Sequence, residues 1–309
     1  MGGELISIFD NDVDMVANNP ALLNNKMHQE ISFSFVDYFS DINAVAVNYA
    51  TQSAKLGMLF FGARALNYGK FTQTDETGRE LGEFTANEQV LTTGISKQLN
   101  DKLTIGVNLN FINSKLEQYS SIGLSSNFAL SYFNDERKLC ISVLAKDFGR
   151  QLKSYTNEKE NLPFQLQMGV SKQLAHLPFR FSIVAHHINK FDISNNYLEP
   201  TTTDPISGET IENKESFGKK VLRHFVLGGE LNPGRKNLFI RGGFNFQRRQ
   251  DMQLSTRPFM AGFSWGLGFR ISKFQLNYSR ATYHLAGASN IFSFSTNLGL
   301  FNSEDAMGI

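Results

Sequence analysis

The chain has a single cysteine among 309 residues, so Cys140 has no partner for an internal disulfide and no second thiolate for a Cys-rich metal site. Proline is also scarce, with seven residues, and few breakers favour long regular elements over loops. No stretch approaches the roughly 18 consecutive apolar residues of a transmembrane helix, which excludes a spanning helix and leaves only strands to cross a membrane. Charge is thin: 19% of residues are charged, and 30 Lys and Arg against 29 Asp and Glu leave a net charge of +1. That balance gives no electrostatic reason to expect nucleic acid as a partner. Met1-Gly2-Gly3-Glu4-Leu5 opens without a basic segment and an apolar run, so no signal peptide is read here.

What the chain has in excess is aromatic and uncharged polar residues, including 28 Phe, and strands favour aromatics. From about residue 31 the dominant pattern is alternation with period two, which sends successive side chains to opposite faces of a strand. Leu103, Ile105, Val107, Leu109 and Phe111 interleave with Thr104, Gly106, Asn108 and Asn110. Ile31, Phe33 and Phe35 alternate with Ser32 and Ser34, and Trp265, Leu267, Phe269 and Ile271 alternate with Gly266, Gly268 and Arg270. Fourteen such segments are predicted, at about 31–38, 43–50, 55–68, 88–99, 102–114, 122–133, 139–148, 164–174, 179–188, 222–231, 237–247, 259–271, 273–283 and 290–299. Many are near the roughly 9–11 residues that a tilted strand needs to cross a hydrocarbon layer.

Helical periodicity is scarce after residue 30, so architectures built on crossover helices are disfavoured. From the third connection onward, longer and tight linkers alternate, with long ones at 69–87, 149–163 and 189–221. A soluble sandwich has no reason to keep its long loops at one end. An all-β, closed, antiparallel, up-and-down transmembrane barrel does, with tight turns at the periplasmic rim and longer loops outside. Closure also satisfies every backbone amide, each of which costs several kcal/mol if left unpaired in lipid. The face carrying Asn108, Asn110, Gln165, Gln167, Arg241 and Arg270 is then expected to look into the lumen.

Residues 1–30 do not fit the barrel pattern and are too polar to cross lipid. They are expected to form a plug or hatch with room for one strand and a turn or two of helix, ahead of a barrel over 31–301 and a tail over 302–309. Asp10, Asp12 and Asp14 have the spacing of a calcium loop, but Met15 stands where the turn demands Gly and Ala21 where a bidentate Glu is required. Arg241 and Arg270 read as lumenal and near the periplasmic end. One or more of Asp10, Asp12 and Asp14 is therefore expected to pair with Arg241 or Arg270, because a charge in a confined lumen needs a partner.

Several longer runs carry a resemblance. They are Asn19-Pro20-Ala21-Leu22-Leu23, Leu162-Pro163-Phe164, Gly169 through His176 with Pro178 through Ser182, and Arg223-His224. Arg257-Pro258 through Ser264, Arg270 through Phe274 and Tyr283 through Asn290 complete the set. With these runs the chain resembles, over essentially its whole length, the PorV/PorQ family of outer-membrane proteins of Bacteroidetes. The resemblance implies a fatty-acid-channel-like barrel with a lumenal plug. It also implies a role in the type IX secretion system, anchoring the surface protein PorZ in the cell-surface attachment complex beside PorU and PorV, in contact with outer-membrane lipid and lipopolysaccharide. Family members carry further residues ahead of the Gly-Gly pair, including a signal peptide, so part of the plug is expected to precede Gly2.

No catalytic pattern emerges: the six histidines are scattered, and no Gly-x-Ser-x-Gly elbow or phosphate-cradling Gly-rich loop precedes a helix. His186 and His187 are read as alternating faces of a strand, which prevents joint chelation of a metal. No catalytic residue, cofactor or metal site is assigned. Gly266 and Gly268 are read as sites of close packing inside the barrel. The long loop 189–221, with Tyr197, Glu199, Glu209, Glu212 and Glu215, is the expected contact for a surface partner. The expected function is a non-catalytic anchor, and the alternative is a passive conduit for hydrophobic small molecules.

Overall fold

The computed structural model describes residues 2–3, 5–156, 158–194, 202–203, 210–211, 216–233, 237–252, 260–284 and 287–301. Nine strands come first: β1 (Glu30–Asp37), β2 (Asn43–Ser53), β3 (Gly57–Thr74), β4 (Glu80–Asn100), β5 (Leu103–Leu116), β6 (Tyr119–Asn134), β7 (Leu139–Lys153), β8 (Gln165–Gln173) and β9 (Phe179–Ala185). A two-residue ribbon, β10 (Thr202–Thr203) with β11 (Thr210–Ile211), precedes helix α1 (Phe217–Arg223). Then follow β12 (Phe225–Leu231), β13 (Leu238–Asn245), helix α2 (Phe246–Met252), β14 (Phe263–Ile271), β15 (Phe274–His284) and β16 (Gly287–Asn297). All but the ribbon form one closed barrel of fourteen strands, each paired antiparallel with its neighbours, and β1 seals against β16 with Phe33 opposite Phe294.

Each of the fourteen expected segments coincides with a barrel strand, and the differences lie at the ends. The connection 69–87, expected as a loop, is instead the upper part of the β3–β4 hairpin, closed by a turn in which Asp75 accepts from the Thr77 and Arg79 amides. Its sequence, Lys70 to Thr74 and Glu80 to Thr85, lacks a continuous apolar face because both sides meet water, so alternation gives no signal there. Conversely, β12 begins later and β13 ends earlier than expected, because α1 and α2 take over the adjoining residues.

Alternation sorts the two faces as the pattern requires. Leu109 is 50% exposed on the outside while Asn108, one residue earlier, is fully buried in the lumen. Phe111, Phe128, Leu130, Met168 and Trp265 continue the outer apolar surface, and Asn110, Asn127, Gln167, Ser131 and Ser171 continue the buried polar interior. Such a molecule is inside-out relative to a water-soluble barrel, and only contact with acyl chains gives the outer apolar band a favourable environment.

Residues ahead of β1 fill the lumen. They form three short 3-10 turns, Val13–Ala17, Pro20–Leu22 and Asn25–Met27, and no strand is present in this segment among the described residues. Each turn is capped by a side chain: Asp12 accepts from the Asp14 amide, Asn19 from Ala21 and Asn24 from Lys26. Asp and Asn cap well because a short side chain returns easily to the unpaired amides of a first turn. Val13, Val16, Leu23 and Met27 pack against Ala50, Met58 and Phe60, and Ile6 and Ala21 pack against Ala129, Leu144, Val184 and Val226. Where wall strands turn apolar residues inward, they do so to receive the plug.

Candidate functional site

Hydrogen bonds from the wall to the plug backbone fix the plug's height in the lumen. Asn108 Nδ2 donates to the Val16 carbonyl at 2.8 Å, Ser96 Oγ to the Leu23 carbonyl at 2.9 Å, and Ser171 Oγ to the Ser7 carbonyl. Asn19 Nδ2 reaches both the Ile6 carbonyl at 2.5 Å and Ser131 Oγ at 3.3 Å. Two glycines let the plug approach the wall closely: a Cβ on Gly106 would fall 2.4 Å from the Pro20 carbonyl carbon, and one on Gly169 would fall 2.8 Å from Ile6 Cγ1. A side chain at Gly106 would meet plug backbone and push it away from the wall, whereas at Gly169 the neighbours are the Ile6 and Ser7 side chains.

At the rim of tight turns the plug is held by charge. Asp10 accepts from Arg180 at 3.0 Å, and Arg180 also donates to Glu230 at 2.6 Å. Arg241 grips the other oxygen of Glu230 at 2.8 Å and donates to Asn277 at 2.8 Å. Register explains the cluster: Glu230 lies directly opposite Arg180 on β9 and Arg241 on β13, so three inward-facing charges sit side by side on adjacent strands. Glu230 is buried and must be paired, and two guanidiniums satisfy it.

The carboxylate of Asp14 goes elsewhere, accepting from Ser34 Oγ at 2.9 Å, Asn48 Nδ2 at 2.7 Å and Ser32 Oγ. Asp12 caps its turn, and burial, followed by the neighbouring charges of Asp14 and Asp10, pushes its carboxyl up to about 8. Above the plug lies a cavity of about 400 Å³ that mixes apolar Val90, Ile112 and Ile291 with Arg64, Asn110 and Lys146. Helices α1 and α2 are joined by a pair between the buried Arg223 and Asp251, and Gln250 donates to the Lys219 carbonyl at 3.2 Å.

No protein-family model matches the chain, and no curated protein matches it. Solved structures do. A deltaS2 mutant of TodX, a monoaromatic hydrocarbon channel, is similar at 12% identity with a TM-score of 0.58, over 96% of this chain and 97% of that one. A FadL homologue of Pseudomonas aeruginosa is similar at 11% identity with a TM-score of 0.50, over 96% of each chain. The fold, a closed antiparallel barrel, is the one these outer-membrane proteins share. The barrel fold resembles those of Gram-negative outer-membrane proteins, in which tight turns face the periplasm, and in that orientation the Asp10–Arg180–Glu230–Arg241 cluster lies at the periplasmic rim.

In the barrel the plug and wall residues read from the sequence fall in two places. Asp10, Asp12, Arg241 and Arg270 line one periplasmic cavity of about 330 Å³, while Asp14 is turned toward β1 and β2. The expected pairing is corrected in detail: Asp10 takes Arg180, Arg241 takes Glu230, and Arg270 donates to Gln275 at 3.0 Å. Among the described residues no ion pair joins Asp10, Asp12 or Asp14 to Arg241 or Arg270. Arg180 and Glu230 were missed, although parity in the Phe179–Phe181 alternation already turned Arg180 inward. Only their register, across the long connection between β9 and β12, reveals the partnership.

Tyr197, Glu199, Glu209, Glu212 and Glu215 lie outside the described residues. His186 and His187 do not alternate as expected. β9 ends at Ala185, His187 adopts a left-handed φ of 53°, and the two Nδ1 atoms meet at 2.7 Å. A Cβ on Gly266 would meet Ser279 Cβ at 2.9 Å and one on Gly268 would meet Asn277 Oδ1 at 2.6 Å, the close packing the glycines suggest.

Proposed function

We propose that the chain is a plugged passive channel of the outer membrane that admits small, largely apolar molecules. The end-to-end similarity to a hydrocarbon channel supports this reading most directly, and the partly apolar cavity above the plug supplies a resting place for a solute. Passage then requires the plug to shift, because Val13, Val16, Leu22 and Leu23 are fully buried in the lumen. No step is catalytic. Flux is set by how often the Asp10–Arg180 pair and the wall-to-plug hydrogen bonds open together.

The test is toluene uptake through purified protein in liposomes, with and without a covalent staple. Cβ atoms at positions 7 and 169 would lie 3.2 Å apart, close to the roughly 3.5–4.5 Å of a disulfide. In a Cys140→Ser background, Ser7→Cys with Gly169→Cys is expected to stop uptake when oxidised and restore it on reduction. Equal uptake in empty liposomes and in liposomes with the unstapled protein rejects the channel.

A second reading, the non-catalytic anchor of a PorZ-like surface protein with PorU and PorV in the type IX secretion system, draws support from the chemistry of the wall. Asn108, Ser96 and Ser171 are spent on holding the plug still, which suits a scaffold better than a gate. Deleting 189–221 is then expected to release the surface partner while the barrel remains folded. Unchanged surface retention rejects that assignment.

A further inference from the structure

Three cavities open around the underside of the plug at the periplasmic rim, of about 410, 330 and 330 Å³. They are contiguous: Phe9 and Phe133, whose rings stack at 4.2 Å, border the first and third, while Asp10, Asn11 and Arg270 border the second and third. Together they are lined by eight Lys and Arg side chains against five Asp and Glu, on a chain whose net charge is +1.

Setting aside the engaged carboxylates with the cations that hold them leaves five cations against two carboxylates. Asp10 and Glu230 are held by Arg180 and Arg241, and Asp135 is held by Lys138 at 2.6 Å. Among the described residues Lys26, Lys55, Lys97, Lys102 and Arg270 have no ion pair. Arg270 is exposed and stands over the Phe239 ring at 5.7 Å, which leaves its outer edge open to a carboxylate.

We propose that this underside is a docking surface for an acidic, extended polypeptide segment of a periplasmic partner, whose carboxylates seat on Arg270 and Lys26 and continue toward Lys55 and Lys102. A row of cavities on the scale of single side chains, floored by a stacked Phe pair and edged with cations, matches alternating side chains of an extended peptide. A uniform polyanion would need a continuous basic groove, and here the buried Glu230 and Asp10 interrupt it. The surface lies beneath the plug and apart from the cavity above it, so it stands whether the barrel conducts a solute or anchors a surface protein.

The test uses the full chain in detergent micelles and a fluorescein-labelled (Glu-Gly)4 peptide at low salt, followed by anisotropy. Binding is expected, with loss of affinity as salt rises. Lys26→Gln with Arg270→Gln is expected to weaken binding by roughly tenfold or more, and Lys55→Gln with Lys102→Gln by a smaller factor. Lys115→Gln with Lys153→Gln, at the opposite rim, leaves it unchanged. All six substituted positions are exposed, and retained heat-modifiable migration confirms folding. No binding by the folded wild-type chain overturns the proposal, as does equal binding by the Lys26/Arg270 variant. Competition by inorganic polyphosphate as strong as by unlabelled peptide rejects a polypeptide as the occupant.

Discussion

Gly106 on β5 and Pro20 in the plug touch backbone to backbone: a Cβ at position 106 would fall 2.4 Å from the Pro20 carbonyl carbon and 2.6 Å from the Ala21 amide nitrogen. The contact joins the one rigid residue of the plug's second turn to a wall position without a side chain beneath it. Gly106→Val is expected to expel the plug without opening the barrel. Heat-modifiable migration should persist while proteolysis of residues 5–29 accelerates; a plug as protected as in wild type would show that the segment has another seat.

Removing Glu230 strands two arginines. Glu230→Ala leaves Arg180 and Arg241 in a confined site without their shared carboxylate and is expected to cost about 3 kcal/mol, the scale for breaking a buried pair from one side. Arg180→Met is expected to cost the barrel less, since Glu230 keeps Arg241, and to free the plug at Asp10 instead. Urea unfolding in lipid vesicles reads the first effect and protease sensitivity the second.

Plug docking is expected to depend on pH through Asp12. Its carboxyl rises from 3.8 to about 8 on docking, with burial the leading cause. The docked plug therefore keeps a proton that the released segment has lost, and by linkage docking weakens as pH climbs through that window and levels off above it. Asp12→Asn, which retains the capping oxygen, should flatten the dependence. Proteolysis of the plug at several pH values between 5 and 9 measures it, and a flat wild-type profile would contradict the assignment.

Opposite faces of β5 are expected to respond in opposite ways. Leu109→Arg places a cation among acyl chains and should cost about 2–4 kcal/mol of folding into a bilayer. Asn108→Ala, one residue away, removes the bond to the Val16 carbonyl and should cost about 1 kcal/mol, expressed as a looser plug. Folding into vesicles separates the two, and equal effects would mean that the faces have been exchanged.

Much of this was legible before any coordinates. Alternation in Leu103 to Phe111 or Trp265 to Ile271 is a local property of the covalent chain, because successive side chains of a strand must point to opposite sides. It therefore determined the number of strands, their inner and outer faces and the even count that returns both ends of the barrel to one rim. The β3–β4 extension escaped notice because neither face meets lipid there, and α1 and α2 escaped it because seven residues are too few for a helical period to stand out.

The tertiary structure alone decided which inward charge meets which. Arg180, Glu230 and Arg241 become neighbours through the register of β9, β12 and β13, although the whole connection 186–224 separates the first two strands. Asp10 finds Arg180 because Pro20 seats on Gly106 and Ile6 on Gly169, which fixes the plug's position. Strand parity follows from bonds between consecutive residues, but partnership across the lumen is a sum of many distant contacts. No window of sequence contains that sum.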